Sequence, residues 1–376
     1  MRGAVRRSTD IGRKERPAKV HLQFNSRYSG LPRGKKLRDG LSGVAARGES
    51  LWFVSDETLT VERLDRIRNR PMAYAKHATF RLEDYLRLPS GTDREADLED
   101  LDIADGYLWL VGSHAAVRQM PGKNPSPRNI AKALGKLERQ GNRYLLARIP
   151  LAEGEGSATL ACRAGAGSGK RVAARLEGGA KGNALTRALR DDTHFRDTFA
   201  PPSKENGFDV EGLAVVGGRV LLGLRGPVFN EWAVILEIEP RPARGDSSLL
   251  RLGRFGPGRK LYRKHFLKLD GLGVRGLCRH GRDILVLAGP TGAPEGPAKV
   301  YRWLGGARSD IERRLRPSDL VHVMDLPTGR RSDRPEGIVV MTSTRGRDRL
   351  LVLYERAAES RLRGAHGTDA DLFAIH

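Results

Sequence analysis

VEGLAVVGGRVLLGLRG, residues 210–226, decides the fold. A short apolar run, a glycine turn and a second apolar run make a tight β-hairpin, because Gly217-Gly218 supplies the positive φ that a two-residue turn requires. The pattern returns at LSGVAARGESLWFVSDE (41–57), LEDLDIADGYLWLVGSH (98–114), VRGLCRHGRDILVLAGP (274–290) and PEGIVVMTSTRGRDRLLVLYE (335–355). Four of the five segments align without a gap, with turns at Gly48-Glu49, Asp105-Gly106, Gly217-Gly218 and Gly281-Arg282, and the fifth has a longer turn. Further strand-like runs follow at 59–64 and 77–82, 144–149, 233–238 and 262–267, and 299–304 and 320–326. About four strands per repeat of roughly 60 residues is the signature of a β-propeller blade. The expectation is an all-β propeller with five recognisable blade repeats, and five or six blades in all.

After the fifth hairpin only residues 371–375 read as strand, while the strand-like run 20–24 precedes the first hairpin without a partner. The N-terminal strand is therefore expected to complete the last blade and close the ring, which removes an open sheet edge. Between the second and third hairpins the spacing nearly doubles, and residues 125–200 read as a helical insertion. One helix is expected near 129–139, with Ser126 as N-cap, Pro127 in the first turn and Ile130, Leu134 and Leu137 on one face. A second is expected near 184–189, and the stretch 161–171 reads as a flexible loop. A degenerate sixth blade is the alternative to the insertion. The domain expectation is a basic tail over 1–18 and a single propeller over 19–376.

Hydrophobic residues make up 39% of the chain and charged residues 30%, which excludes a wholly disordered protein. Charges and glycines interrupt every apolar run before the length of a membrane helix, so no membrane span is expected. The basic start lacks the apolar core of a secretory signal, and the expected location is cytoplasmic. Cys162 and Cys278 stand in neither a disulfide nor a zinc spacing. The net charge of +22 raises the question of an anionic partner, yet arginines run along the whole chain and aromatics are only 6%. Weak, salt-dependent, non-specific nucleic-acid binding is expected.

Both ends of an antiparallel hairpin project from one face of a blade, so around a ring those ends converge. Counting from the tight turns sets Glu99 opposite Gly112, Ser42 opposite Ser55 and Glu211 opposite Leu224. The channel mouth should then gather Asp39, Ser42, Asp56, Asp97, Glu99, His114, Asp209, Glu211, Arg225 and Glu336, an acidic set. Strand parity puts Glu99, Glu211 and Glu336 at the ends of apolar, blade-packing rows. Shielded carboxylates require a cation, an arginine or backbone donors. These three are the candidate ligands of Ca²⁺ or another hard cation, and structural pairing with Arg225 or backbone N–H groups is the alternative. Asp39, Ser42, Asp97, Asp209 and Arg225 are the candidate ligand-binding residues, and His114, Asp56 and Arg225 the candidate catalytic ones. AGAGSGK (164–170) misses a phosphate-binding loop at its first glycine and at Arg171, and Trp52 and Trp109 read as blade-packing residues.

KENGFDVEGLAVVGGRVLLGLRGPVFNEWAVILEIEP (204–240), with LRDGLSGVAARGESLWFVSDET and DGYLWLVGSH, resembles domain of unknown function 3616, an uncharacterised bacterial family. The resemblance covers nearly the whole chain and implies a propeller-like fold, with no activity, cofactor or catalytic residue to carry over. One departure is Asp100, which stands where Gly212 and Gly337 stand in other repeats. The D-x-E-G string at 209–212 is also distantly similar to the esterase-like phytase propellers. Two functions stay open. One is a scaffold that binds a small anionic ligand or a protein. The other is a Ca²⁺-assisted ester or phosphoester hydrolase using the channel carboxylates.

Overall fold

The computed structural model describes residues 16–375, apart from 32–33, 93, 155, 293–294, 309–315, 331 and 343–346. Five antiparallel hairpins form where the repeats fall, each beginning with a strand that lies innermost: Leu41–Arg47, Leu98–Ala104, Asp209–Val216, Gly273–His280 and Arg334–Met341. Four hairpins turn on two residues, closing at Arg47/Ser50, Ala104/Tyr107, Val216/Arg219 and His280/Asp283. Positive φ at Asp105, Gly106, Gly217 and Gly218 makes two of these turns possible without strain.

Two further strands complete each sheet. Thr60–Ile67 and Arg70–Arg81 follow the first hairpin, Trp232–Ile238 and Tyr262–Lys268 the third, and Ala298–Trp303 and Leu320–Leu326 the fourth. In the fifth sheet Gly367–Ala374 pairs on one side with Arg349–Glu355 and on the other with the N-terminal strand Ala18–Gln23. That strand also meets the outermost strand of the first sheet, pairing His21 and Leu22 with Ala73 and Tyr74. Among the basic tail expected over 1–18, residues 1–15 lie outside the described residues, and Ala18 already belongs to this strand.

The inner strands touch in order, each against the inner strand of the next sheet, and the fifth returns to the first. Apolar side chains fill all five gaps between successive sheets. Trp52, Leu101 and Leu110 pack between the first and second, and Trp109, Leu213 and Leu222 between the second and third. Ile235, Leu277 and Val286 fill the next gap, Leu285, Ile338 and Val352 the one after, and Leu22, Phe53 and Leu351 the last. The arrangement is β-propeller-like: mostly β, with sheets packed face to face around a common centre.

The segment 125–200 departs from expectation in three ways. Its first helix is Pro127–Leu134, capped by Ser126 as anticipated, but it stops at Gly135, so Leu137 leaves the proposed face and pairs in a short ladder with Arg118. Residues 161–171 are a small hairpin, Arg163–Ala164 against Arg171–Val172, and not a featureless loop. The segment also supplies sheet material, since Leu146–Glu153 and Ala174–Leu176 are the third and fourth strands of the second sheet. Ala184–Leu189 is helical as expected, with Asn183 and Thr186 forming a reciprocal cap. No helix among the described residues is long and apolar enough to cross a membrane.

Candidate functional site

Each inner strand carries a β-bulge close to its start. The register skips between Leu41 and Gly43, Leu98 and Asp100, Val210 and Gly212, Val274 and Gly276, and Pro335 and Ile338. The side chains left over at these skips are Ser42, Glu99, Glu211, Arg275 and Glu336, and all five line one central cavity of about 450 Å³. A bulge turns its extra residue out of the pleat. The expected pairings are thereby corrected by one residue: Leu98 faces Gly112, Leu41 faces Ser55 and Val210 faces Leu224. The glutamates do not continue the packing rows; they line the cavity.

The position after each bulge is where neighbouring inner strands come closest. A Cβ on Gly43 would lie 2.7 Å from the Cα of Asp100, one on Gly212 2.9 Å from Leu277 Cγ, and one on Gly337 2.8 Å from the Ser42 carbonyl oxygen. Asp100 is the exception anticipated from the sequence, and its role is visible. Its carboxylate accepts from its neighbour Leu101 N (2.9 Å) and, across the gap, from Leu213 N (2.8 Å), tying the second sheet to the third.

Ion pairs line the cavity, and those of Arg275 join the fourth sheet to the third and the fifth. Arg225 contacts Asp209 and Glu211, each at 2.5 Å; Arg275 lies 2.7 Å from Glu211 Oε2 and pairs through two nitrogens with Glu336. Arg143 pairs with Asp97, and Arg356 sits 3.3 Å from Glu355. The lining holds seven carboxylates (residues 56, 97, 99, 209, 211, 336 and 355) and six basic side chains (residues 143, 204, 225, 275, 334 and 356), so the expected acidic mouth is instead a mixed-charge one. Arg275 was legible, since it holds the repeat position of the glutamates. Arg143 comes from the irregular insertion, where the repeat gives no signal.

Glu336 is drawn away by Arg275, and the cluster that forms is Glu99, Asp209 and Glu211, one oxygen of each lying within 4.8 Å of the others. Among the described residues Glu99 makes no hydrogen bond or ion pair, and the buried Asp209 Oδ1 accepts no hydrogen bond. Desolvation, then the charges of Asp97, Glu211 and Asp209, push the Glu99 carboxyl well up. Burial raises Glu211 against the pull of Arg225 and Arg275, and raises Asp209 to about 6. Asp56, on the same wall, is pushed to about 8 by burial and then by Asp97 and Glu355, and its buried Oδ1 has no hydrogen-bond partner.

Eight of the ten residues expected at the mouth line the cavity: Ser42, Asp56, Asp97, Glu99, Asp209, Glu211, Arg225 and Glu336. Ser42 Oγ accepts from Asp56 N at 3.2 Å. Asp39 does not line it; it lies beside Arg38 at 3.5 Å, and its carbonyl accepts from Arg356 N. His114 is also elsewhere, which removes it as an acid–base candidate at this site. It is 2% exposed, with Nδ1 2.7 Å from the Gly112 carbonyl and Nε2 2.7 Å from Asn183 Nδ2. The carbonyl requires a proton on Nδ1 and the amide donates to Nε2, so the ring is neutral and both nitrogens are engaged. Burial lowers its pKa to about 4.

The sequence profile described as "Protein of unknown function (DUF3616)" matches residues 40–371, from the start of the first inner strand into the strand that pairs with the N-terminus. The chain belongs to this family. No curated protein matches the chain. Among solved structures, the DUF3616 chain is similar to the PQQ-bound aldose sugar dehydrogenase of Streptomyces coelicolor, at 12% identity and a TM-score of 0.35, covering 96% of this chain and 100% of that one. It is similar to virginiamycin B lyase from Staphylococcus aureus, at 11% identity and a TM-score of 0.35, covering 95% and 99%. An exo-1,5-α-L-arabinanase from a bovine ruminal metagenomic library matches at 9% identity and a TM-score of 0.34, covering 89% and 92%. Nothing of their chemistry is carried over.

Proposed function

We propose that this DUF3616 protein is a cytoplasmic, single-domain propeller of five blades, closed by its N-terminal strand. In this reading its central cavity binds a hard divalent cation such as Ca²⁺ together with a small anionic ligand. The observation that carries the proposal is the convergence of Glu99, Asp209 and Glu211, with the Glu99 carboxylate in no direct ion pair among the described residues and only the more distant pull of Arg225 on it. Burial first, and the neighbouring acids with it, push the Glu99 and Glu211 carboxyls upward, a penalty on the ionised forms that a bound cation would offset, and oxygen-only clusters suit Ca²⁺. Glu99, Asp209 and Glu211 would hold the cation, which would supply a positive anchor for an anionic ligand. Arg225 is occupied by two carboxylates, so the ligand-facing role assigned to it passes to Lys204 and Arg356 at the rim.

A Ca²⁺-assisted ester or phosphoester hydrolase is the second reading, and Asp56 favours it. A carboxyl held protonated near neutrality on the same wall is a proton donor for a leaving group. Titration calorimetry with CaCl₂ on the metal-stripped protein tests the cation site. Saturable binding that weakens by about tenfold or more in Glu99→Gln supports it, a tenfold change being about 1.4 kcal/mol. Absence of binding, or binding unchanged by the substitution, overturns it.

A further inference from the structure

A second cavity, of about 600 Å³, lies between the insertion and the second and third sheets and shares no lining residue with the central one. Its floor is apolar and uncharged: Phe199, Phe208 and Tyr144 contribute rings, and the neutral His114 lies beneath. Phe199 and Phe208 are 4.7 Å apart between centroids, and of the three aromatic rings Phe199 is the one least buried. The rim carries four cations, Arg139, Lys181, Arg190 and Arg196, and none of the residues lining the cavity is acidic. Arg139 donates to the Phe199 carbonyl at 3.1 Å, and Arg196 lies 3.5 Å from Asp197. Lys181 and Arg190 have no hydrogen-bonded or ion-paired side-chain partner among the described residues.

This wall is built and not incidental. Asn183 donates to the Tyr144 carbonyl at 2.8 Å and to His114 Nε2, while its Oδ1 accepts from Thr186 N at 3.1 Å. The same residue therefore fixes the helix Ala184–Leu189 that ends beside Arg190, the turn that carries Lys181 and the backbone at Tyr144. His114, buried and doubly bonded, serves to hold that amide.

We propose that this cavity is a binding site for a phosphomonoester attached to a planar, apolar body. The phosphate would sit against Lys181 and Arg190, and the planar group against Phe199. Four cations around an uncharged aromatic floor match a ligand with both parts, and the volume suits one of mononucleotide size. The net charge of +22 attracts any polyanion over the whole surface; only here does that charge border a cavity floored by aromatic rings among those described.

Titration calorimetry on the full chain at moderate salt, with AMP, adenosine and inorganic phosphate as probes, tests the proposal. AMP is expected to bind about tenfold or more tightly than either fragment, since each lacks one of the two contacts. Lys181→Gln with Arg190→Gln should weaken AMP about tenfold, and Phe199→Ala should weaken AMP while leaving phosphate unchanged. A paired control, Arg70→Gln with Arg251→Gln, removes two exposed charges elsewhere and should change affinity less than about twofold. Glu99→Gln should leave AMP binding intact, which separates this site from the central one. The proposal fails if AMP does not bind, if it binds no better than phosphate, or if the control pair weakens it as much as the rim pair.

Discussion

Asp56 is the side chain whose protonation the fold controls most usefully. Its carboxyl rises from the ordinary aspartate range to about 8, so between those values the folded protein holds a proton that the unfolded chain has released. Stability must then fall as pH rises through that window, because the folded state binds more protons. Asp56→Asn removes the titration while keeping the shape, and is expected to be relatively more stable than wild type at about pH 8 than at about pH 5. Urea midpoints at the two pH values read this directly, and a difference independent of pH would contradict it. Asp56 was legible as a channel residue because it directly follows Ser55, the last residue of the first hairpin's second strand. Its raised pKa was not, since it depends first on burial in the assembled cavity and then on Asp97 and Glu355 arriving from the second and fifth sheets.

The recurring element is a hairpin with a tight turn at one end and a bulge at the other. The turns were readable because glycine and aspartate at fixed offsets announce positive φ. The bulges were hidden, since counting back from the turn assumes a strict two-residue alternation and an extra residue breaks it without changing composition. The error was one residue in register, and it misjudged which way Glu99 and Glu211 face. It left the cavity membership nearly intact because the bulged residues sit at the same repeat position. Similarly, the helix expected through residue 139 ended at Gly135, a poor helix former, earlier than its apolar spacing suggested. The glycine after the bulge gives an element-scale prediction. Gly212→Ala brings a Cβ to 2.9 Å from Leu277 Cγ and 3.2 Å from the Gly276 carbonyl carbon. It should destabilise by about 1–3 kcal/mol through overpacking. An unchanged denaturation midpoint would mean that adjacent inner strands have room to separate.

For the molecule as a whole, stability hinges on the join between the two ends of the chain. Ala18–Gln23 is held to Gly367–Ala374 by a six-residue ladder, and beneath it Asp371 gathers Lys19, Arg361 and Tyr354. Burial alone would raise the Asp371 carboxyl; the bidentate Arg361 guanidinium, Lys19 and the Tyr354 hydroxyl outweigh it and hold the group below its usual range. A depressed acid contributes stability above its unfolded pKa, and that contribution is lost as pH falls through its folded value. Asp371→Asn should therefore cost about 3 kcal/mol near neutrality, with the penalty shrinking in acid. Thermal unfolding across pH checks it, and a pH-independent penalty would speak against this closure. Closure was foreseeable from a last repeat short of a strand and a first strand short of a partner. The three residues that clasp it were not: Lys19 and Arg361 lie outside the five repeats, and Tyr354, near the end of the fifth, carries no sign in the pattern that its hydroxyl meets Asp371.

All of this rests on carboxylates from separate repeats meeting at one centre, and crystals soaked in MnCl₂ examine that meeting most directly. An anomalous difference peak bounded by Glu99, Asp209 and Glu211, and absent from Glu99→Gln crystals, is the expected result. No peak there, or a peak held by other residues, would contradict the site.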